Sequence, residues 1–330
     1  MPKNPSSTPA AGRAKRCAGM ACAALALSVA CAAAQAAETV RFALPTQSWW
    51  PTTVVEAAER LKLFDKEGIK PEVTIYKGGG PAFEAIAAKA ADITINPVYL
   101  VALGIPKGIQ SKVVATGSVV FSGWHLMVLK DSPIKAPSDL DGKKVGITAN
   151  GSGTDFLALW TANTHKVSFS RIPVGGGGLT PNLLTKNVDA AVVYSPVSFE
   201  LMTKGTGRSL INFGQAVEPN LNAAWIATDE MIGSRPQAVQ GALNAIYGAV
   251  EYLQNNRDYA VRLIAEINGL PAEVATMEYE ESIMTVSKDG AVSADSVQNN
   301  LDYGAMGGLT GLAPAADTFT TRFKPVPTRP

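Results

Sequence analysis

Cysteine and histidine are nearly missing from this chain of 330 residues, which has three of the first and two of the second. The cysteines, Cys17, Cys22 and Cys31, all fall within the first 36 residues. A chain trimmed there has no disulfide, no thiolate metal site and no cysteine nucleophile. His125 and His165 stand apart, with no spacing that a metal centre uses, so neither a metal nor a cofactor is expected. They read as a hydrogen-bonded structural His125 and a surface His165. GxSxG and HExxH do not occur, which removes the common nucleophilic and metalloprotease signatures. GxxxxGK[ST] and GxGxxG do not occur either, so nothing specific indicates a nucleotide. Charge is sparse at 17% and almost balanced at a formal net +1.

That net charge conceals an uneven distribution. Lys3, Arg13, Lys15 and Arg16 precede an Ala-rich apolar run, Ala18 to Ala34, and Ala34-Gln35-Ala36 fits small-x-small cleavage. The run is weakly hydrophobic and shorter than the roughly 20 residues that a membrane span needs. Residues 1–36 therefore read as a cleaved signal peptide, with export to the periplasm. Ser28-Val29-Ala30-Cys31 loosely resembles a lipobox, which leaves a lipid anchor at Cys31 as the alternative. Removing the four basic residues leaves 25 Lys and Arg against 28 Asp and Glu. A mildly acidic chain of this size argues against nucleic acid as a partner and predicts two domains.

What the chain does have is an internal echo. Ile172 to Pro196, IPVGGGGLTPNLLTKNVDAAVVYSP, runs apolar entry, glycines, helix, Asp, strand, Pro. Ile75 to Pro97, IYKGGGPAFEAIAAKAADITINP, repeats that order, with Gly78 to Gly80 matching the glycines and Asp92 matching Asp189. Two copies of one α/β unit predict two similar lobes with a ligand between them. Strands and helices alternate through the first 230 residues, the pattern of a parallel sheet covered on both faces. From Arg235 onward the pattern is helical, and these helices are expected to pack on the first lobe. The expected division is 37–128 plus 228–330 for the first lobe and 129–227 for the second, with hinge crossings near Leu129 and Ile226.

Glycine runs after strands permit close approach and leave amide N–H groups free at helix N-termini, where anions are favoured. Three occur, at Gly78 to Gly80, Gly151 to Thr154 and Gly175 to Gly178. Trp49 and Trp50 stand together in the first strand-helix loop, and a pair of indoles there is expected to line a pocket or pack under the loop. Trp124 with His125, Tyr194 and Trp225 are weaker candidates at proposed strand ends or crossings, and Trp160 reads as helix core.

The order and spacing of several stretches carry a family resemblance. FALPTQSWWPTTVVEAAERLKLFDKEGIKPEVTIYKGGG, AIAAKAADITINP, VLKDSPIKAPSDLDGKKVGITANGSGTDF and LLTKNVDAAVVYSP resemble the periplasmic solute-binding proteins of ABC importers in the nitrate, sulfonate and taurine group. That group is related to thiamine-pyrimidine-precursor binders and is known as NMT1/THI5-like. The resemblance spans residues 39–270. It implies a two-lobed α/β clamshell with two crossover strands (type II), a monomer that closes on a small ligand and delivers it to an ABC permease. The implied ligand contacts are Gln47, Ser48, Trp49, Trp50, Gly79, Gly80, Asn96, Ser118, Gly151, Ser152, Thr154, Gly176, Gly177 and Tyr194. These offer amides, hydroxyls and aromatic faces, with only Lys77 nearby as a cation, so a sulfonate competes with an aromatic carboxylate or a heteroaromatic. Two alternatives share the scaffold: a periplasmic sensor that docks on a receptor, and a pyrimidine-precursor synthase-like enzyme. The latter is implied to need a cysteine-rich iron motif with catalytic His and Lys, which a Cys-free exported chain does not offer, so no enzyme is expected.

Overall fold

The computed structural model describes residues 37–330; the signal peptide expected at 1–36 and the lipid-anchor alternative at Cys31 lie outside the described residues. The described strands are β1 (Glu38–Leu44), β2 (Ile69–Ile75), β3 (Ile93–Asn96), β4 (Ser111–Ser118), β5 (His125–Leu129), β6 (Lys144–Ile147), β7 (Ser170–Pro173), β8 (Ala190–Val193), β9 (Gly207–Asn212) and β10 (Ala223–Thr228). They form two sheets, ordered β2-β1-β3-β10-β4 and β7-β6-β8-β5-β9. The sheets share one plan, in which β1, β2 and β3 correspond to β6, β7 and β8.

Each sheet is parallel except for one strand. β10 runs antiparallel to β3 and β4, and β5 runs antiparallel to β8 and β9. These are the strands that the chain makes just after passing from one sheet to the other. Chain passage therefore occurs at residues 119–124 and 213–222. Leu129 instead pairs with Gly207 inside the second sheet, and Ile226 pairs with Thr94 and Val113 inside the first. The hinge expected at those two residues is corrected accordingly. Residues 125–128 belong with the second sheet and 223–227 with the first, because an apolar run reveals a strand but not the sheet that takes it.

The inner strands of both sheets are buried on both faces, which alternation along them makes visible, while the edge strands β2 and β7 are largely exposed. In β10 Ala223, Trp225 and Ala227 enter one apolar core while Ala224 and Ile226 enter another. Trp225, a weak ligand candidate from sequence, is thus core, and so is Trp160. The helices that matter below are α1 (Trp50–Arg60), α2 (Gly79–Ala87), α3 (Gly153–His165), α4 (Leu179–Leu184), α5 (Val197–Thr203), α6 (Pro236–Asn255), α7 (Arg257–Asn268), α8 (Ala272–Glu281) and α9 (Ala294–Met306). α6 lies against α1 and the edge of the first sheet, with Val239, Leu243, Ile246, Val250 and Leu253 buried at helical spacing. α8 also reaches α5 of the second sheet, so the helical tail touches both halves.

Asp92 and Asp189 hold matching joints in the two units. The Asp92 carboxylate accepts the backbone N–H of Arg41 at 2.9 Å, and Asp189 accepts that of Lys144 at 2.8 Å. Arg41 and Lys144 begin the equivalent pairings on β1 and β6, so the echo in sequence marks the strand ends away from the cleft.

Candidate functional site

The parallel strands of both sheets end at one cavity, where open α/β sheets bind ligands. The first sheet contributes Pro45, Thr46 and Trp49 after β1, Gly78 and Gly79 at the start of α2, and Asn96 at the end of β3. The second contributes Thr148, Ser152 and Thr154 around the start of α3, and Tyr194 after β8. The two chain passages complete the walls with Phe121, Trp124 and Asn222. About 30 Å³ is left for the centres of water-sized molecules. No residue in these walls is charged.

Glycine brings the halves together reciprocally. A Cβ on Gly80 would lie 2.5 Å from the carbonyl oxygen of Asn150 in the opposite half. A Cβ on Gly176 would lie 2.7 Å from the Tyr194 hydroxyl in its own half and 2.8 Å from Thr46 Cγ2 across the cleft. Glycine is the residue that permits this approach.

Aromatic rings form the cavity's apolar wall. Trp124 meets Trp49 edge-on at 5.8 Å and 84°, Phe121 at 5.6 Å and 71°, and Tyr194 at 5.2 Å and 41°. Trp50 sits behind Trp49 at 5.8 Å, in the core.

The polar groups divide into satisfied and stranded. Thr148, Ser152 and Thr154 hydroxyls bond to one another at 2.7 to 2.9 Å, and Ser152 caps α3 through Asp155 N–H. Asn96 donates to Thr94 Oγ1 at 3.2 Å. Four other buried atoms lack any hydrogen-bond partner: Thr46 Oγ1, Trp49 Nε1, Tyr194 Oη and Asn222 Nδ2. All four belong to residues lining the cavity, and an unmade bond on a buried polar group costs about 1–3 kcal/mol. Burial pushes the Tyr194 phenol above its ordinary value, and the nearby Thr46 and Ser48 offset part of that rise. Three helices of nine residues or more, α1, α2 and α3, begin at this cavity, with Trp49, Gly78 and Ser152 as their N-caps.

Of the residues expected from sequence, Trp49, Gly79, Asn96, Ser152, Thr154 and Tyr194 are brought together on the cavity. Gly80 and Gly176 lie just outside, as the contact points between halves. The rest are placed elsewhere. Gln47 is exposed, Ser48 is half-buried beside the Tyr194 phenol, Trp50 is core, Ser118 bonds to Val120 near the end of β4, Gly151 donates to Asp155, and Gly177 has open space around it. Sequence reasoning missed Thr46 and Thr148, which neighbour stretches it did single out; it also missed Phe121 and Asn222 and undervalued Trp124. The signal of these last three was their position on the passages between sheets. Among the described residues no cluster of His, Cys, Asp and Glu could hold a metal ion. No helix among them is long and apolar enough to cross a membrane.

A two-sheet body with two passages and a cleft at the strand ends is the periplasmic-binding-protein fold, and solved structures bear this out. A Bordetella bronchiseptica RB50 protein superposes with a TM-score of 0.77 at 21% identity, covering 86% of this chain and 95% of that one. The alkanesulfonate-binding protein SsuA from Xanthomonas axonopodis pv. citri, bound to MOPS, gives 0.73 at 16% identity over 85% and 98%. A protein of Brucella abortus (strain 2308), named as a binding protein, is 26% identical over 278 residues, 82% of this chain and 83% of its own length. The NMT1/THI5-like family model matches residues 52–260, and the chain belongs to that family.

Proposed function

We propose that this protein is an extracytoplasmic solute-binding receptor that captures a small organic or sulfonate-type anion between its two sheets and delivers it to an ABC permease. The observation that carries this reading is the cleft itself: four buried polar atoms without partners, in uncharged walls, where three helices begin. Each helix N-terminus presents roughly half a positive charge, which favours an anion without a cationic side chain. Apart from the Tyr194 phenol, no titratable side chain lines it. His125 is buried and bonded to Ser209 Oγ at 2.9 Å, and Glu278 is buried on α8. That arrangement supports a receptor over a catalyst. Export by the segment 1–36 places the protein in the periplasm in this reading. Its lobes are the first sheet with the helical tail and the second sheet with α3, α4 and α5. They rotate about residues 119–124 and 213–222.

A thermal-shift screen with nitrate, alkanesulfonates, aromatic carboxylates and pyrimidines tests the reading. A ligand at about 100 times its dissociation constant adds roughly 2.7 kcal/mol of stability. The expected result is a raised melting temperature for at least one anion, lost in Trp49→Ala. A folded, ligand-stripped protein that responds to none of them contradicts it.

A further inference from the structure

We infer that the ligand of this cleft is an aromatic monocarboxylate of about the size of benzoate. The inference rests on the receptor reading above and narrows it.

Charge comes first. The walls hold no Lys, Arg or His to neutralise an anion, and no Asp or Glu to attract a cation. Three helix N-termini remain, at Trp49, Gly78 and Ser152, each worth roughly half a charge. Together they suit one negative charge; a second would be buried without compensation, at high cost. A quaternary ammonium would suit the aromatic rings but would meet only positive dipole ends.

The hydrogen-bond inventory selects the head group. Trp49 Nε1 and Asn222 Nδ2 are donors only, and the Thr46 and Tyr194 hydroxyls can both donate. Four stranded donors match the roughly four acceptor positions of an ionised carboxylate, which carries no donor of its own. Among the unpaired groups only the Thr46 and Tyr194 hydroxyls could accept an aminopyrimidine's N–H donors; Trp49 Nε1 and Asn222 Nδ2 could not. The Ser152 and Thr154 hydroxyls already accept two hydrogen bonds each, which leaves only Thr148 Oγ1 with a free lone pair.

Shape selects the body. Trp49, Phe121 and Tyr194 surround Trp124 at centroid distances of 5.2 to 5.8 Å, within the range at which aromatic rings contact one another. About 30 Å³ is free for water centres, room for one or two waters, so a flat ring enters with the halves parted and is enclosed as they close. The carboxylate then lies among Thr46, Trp49, Tyr194 and Asn222, and the ring lies against Trp124 and Phe121.

Isothermal titration of the ligand-stripped protein with benzoate, 4-hydroxybenzoate, benzamide, benzenesulfonate and ethanesulfonate tests this. The expected order puts a benzoate at least tenfold tighter than benzamide and both sulfonates. Asn222→Ala and Trp124→Ala should each weaken it at least tenfold with unchanged circular dichroism. If a sulfonate binds tightest and Asn222→Ala weakens it, the receptor reading stands and the carboxylate inference is overturned. If no probe binds, or binding is indifferent to both substitutions, both fall.

Discussion

Glu278 is a carboxyl with 1% of its surface exposed and no hydrogen-bond partner on either oxygen. Burial pushes it up to about 8; the nearby Ser195 and Ser282 hydroxyls offset part of that rise and Glu281 adds to it. The unfolded chain releases this proton near the ordinary value of 4.5, whereas the folded chain keeps it to about 8. Stability therefore falls as pH climbs through that window, with more protons bound to the folded state than to the unfolded. His125 works in the opposite sense. Burial pulls it from 6.5 to about 4, so protonation of the unfolded chain costs stability as pH falls through that range. Between pH 4.5 and 6.5 the two slopes cancel, which predicts a stability plateau there and a decline from 6.5 to 8. Glu278→Gln should remove the decline and raise stability at pH 8 by on the order of 1 kcal/mol or more, with no effect below pH 4.5. Chemical denaturation across pH checks both, and an unchanged pH profile in the variant contradicts the assignment. His125 was legible in the sequence as a structural residue, since no partner for chemistry accompanied it. Glu278 was not, because it sits in Glu278-Tyr279-Glu280-Glu281, where Glu280 and Glu281 are exposed and the run reads as a solvated face.

At the scale of elements, the glycine runs act as contact surfaces as much as turns. Gly80 faces the Asn150 carbonyl and Gly176 faces Tyr194 and Thr46, one from each half. Gly80→Ala and Gly176→Ala should hold the halves apart, weakening ligand binding at least tenfold at a cost in fold stability of about 1–3 kcal/mol or less. Titration of each variant with the wild-type ligand decides this, and wild-type affinity in both would mean that the halves need not close so tightly. The repeat that carries these runs was plain in the sequence because it recurs as a unit, glycines to Asp to strand. β9 escaped notice, since Gly207–Asn212, GRSLIN, alternates poorly and lies at a sheet edge. The passages were misplaced by several residues for a related reason. β5 and β10 are continuous apolar runs, and nothing along such a run says where the chain leaves one sheet for the other. Phe121, Trp124 and Asn222 were obscured with them, because they lie on those passages or at their ends and take their meaning from what converges there.

The molecule as a whole is one plan used twice, joined by two passages whose own residues line the cleft. Asn222 precedes β10 directly and Trp124 precedes β5, so a ligand that touches both touches the segments about which the halves would rotate. Under the proposed closure such a ligand has contacts in the closed form that an open form would lack, and that difference would shift the balance between them. The four stranded donors supply part of it, since each gains a partner only when the ligand is enclosed. Titration of intrinsic tryptophan emission with small organic anions tests this account most directly, because Trp49 and Trp124 both line the cavity. The account predicts a saturable change in emission that Trp124→Phe diminishes and Asn222→Ala shifts to at least tenfold higher ligand concentration. A ligand that binds by calorimetry yet leaves the emission unchanged, or is indifferent to both substitutions, would place the binding site elsewhere and contradict it.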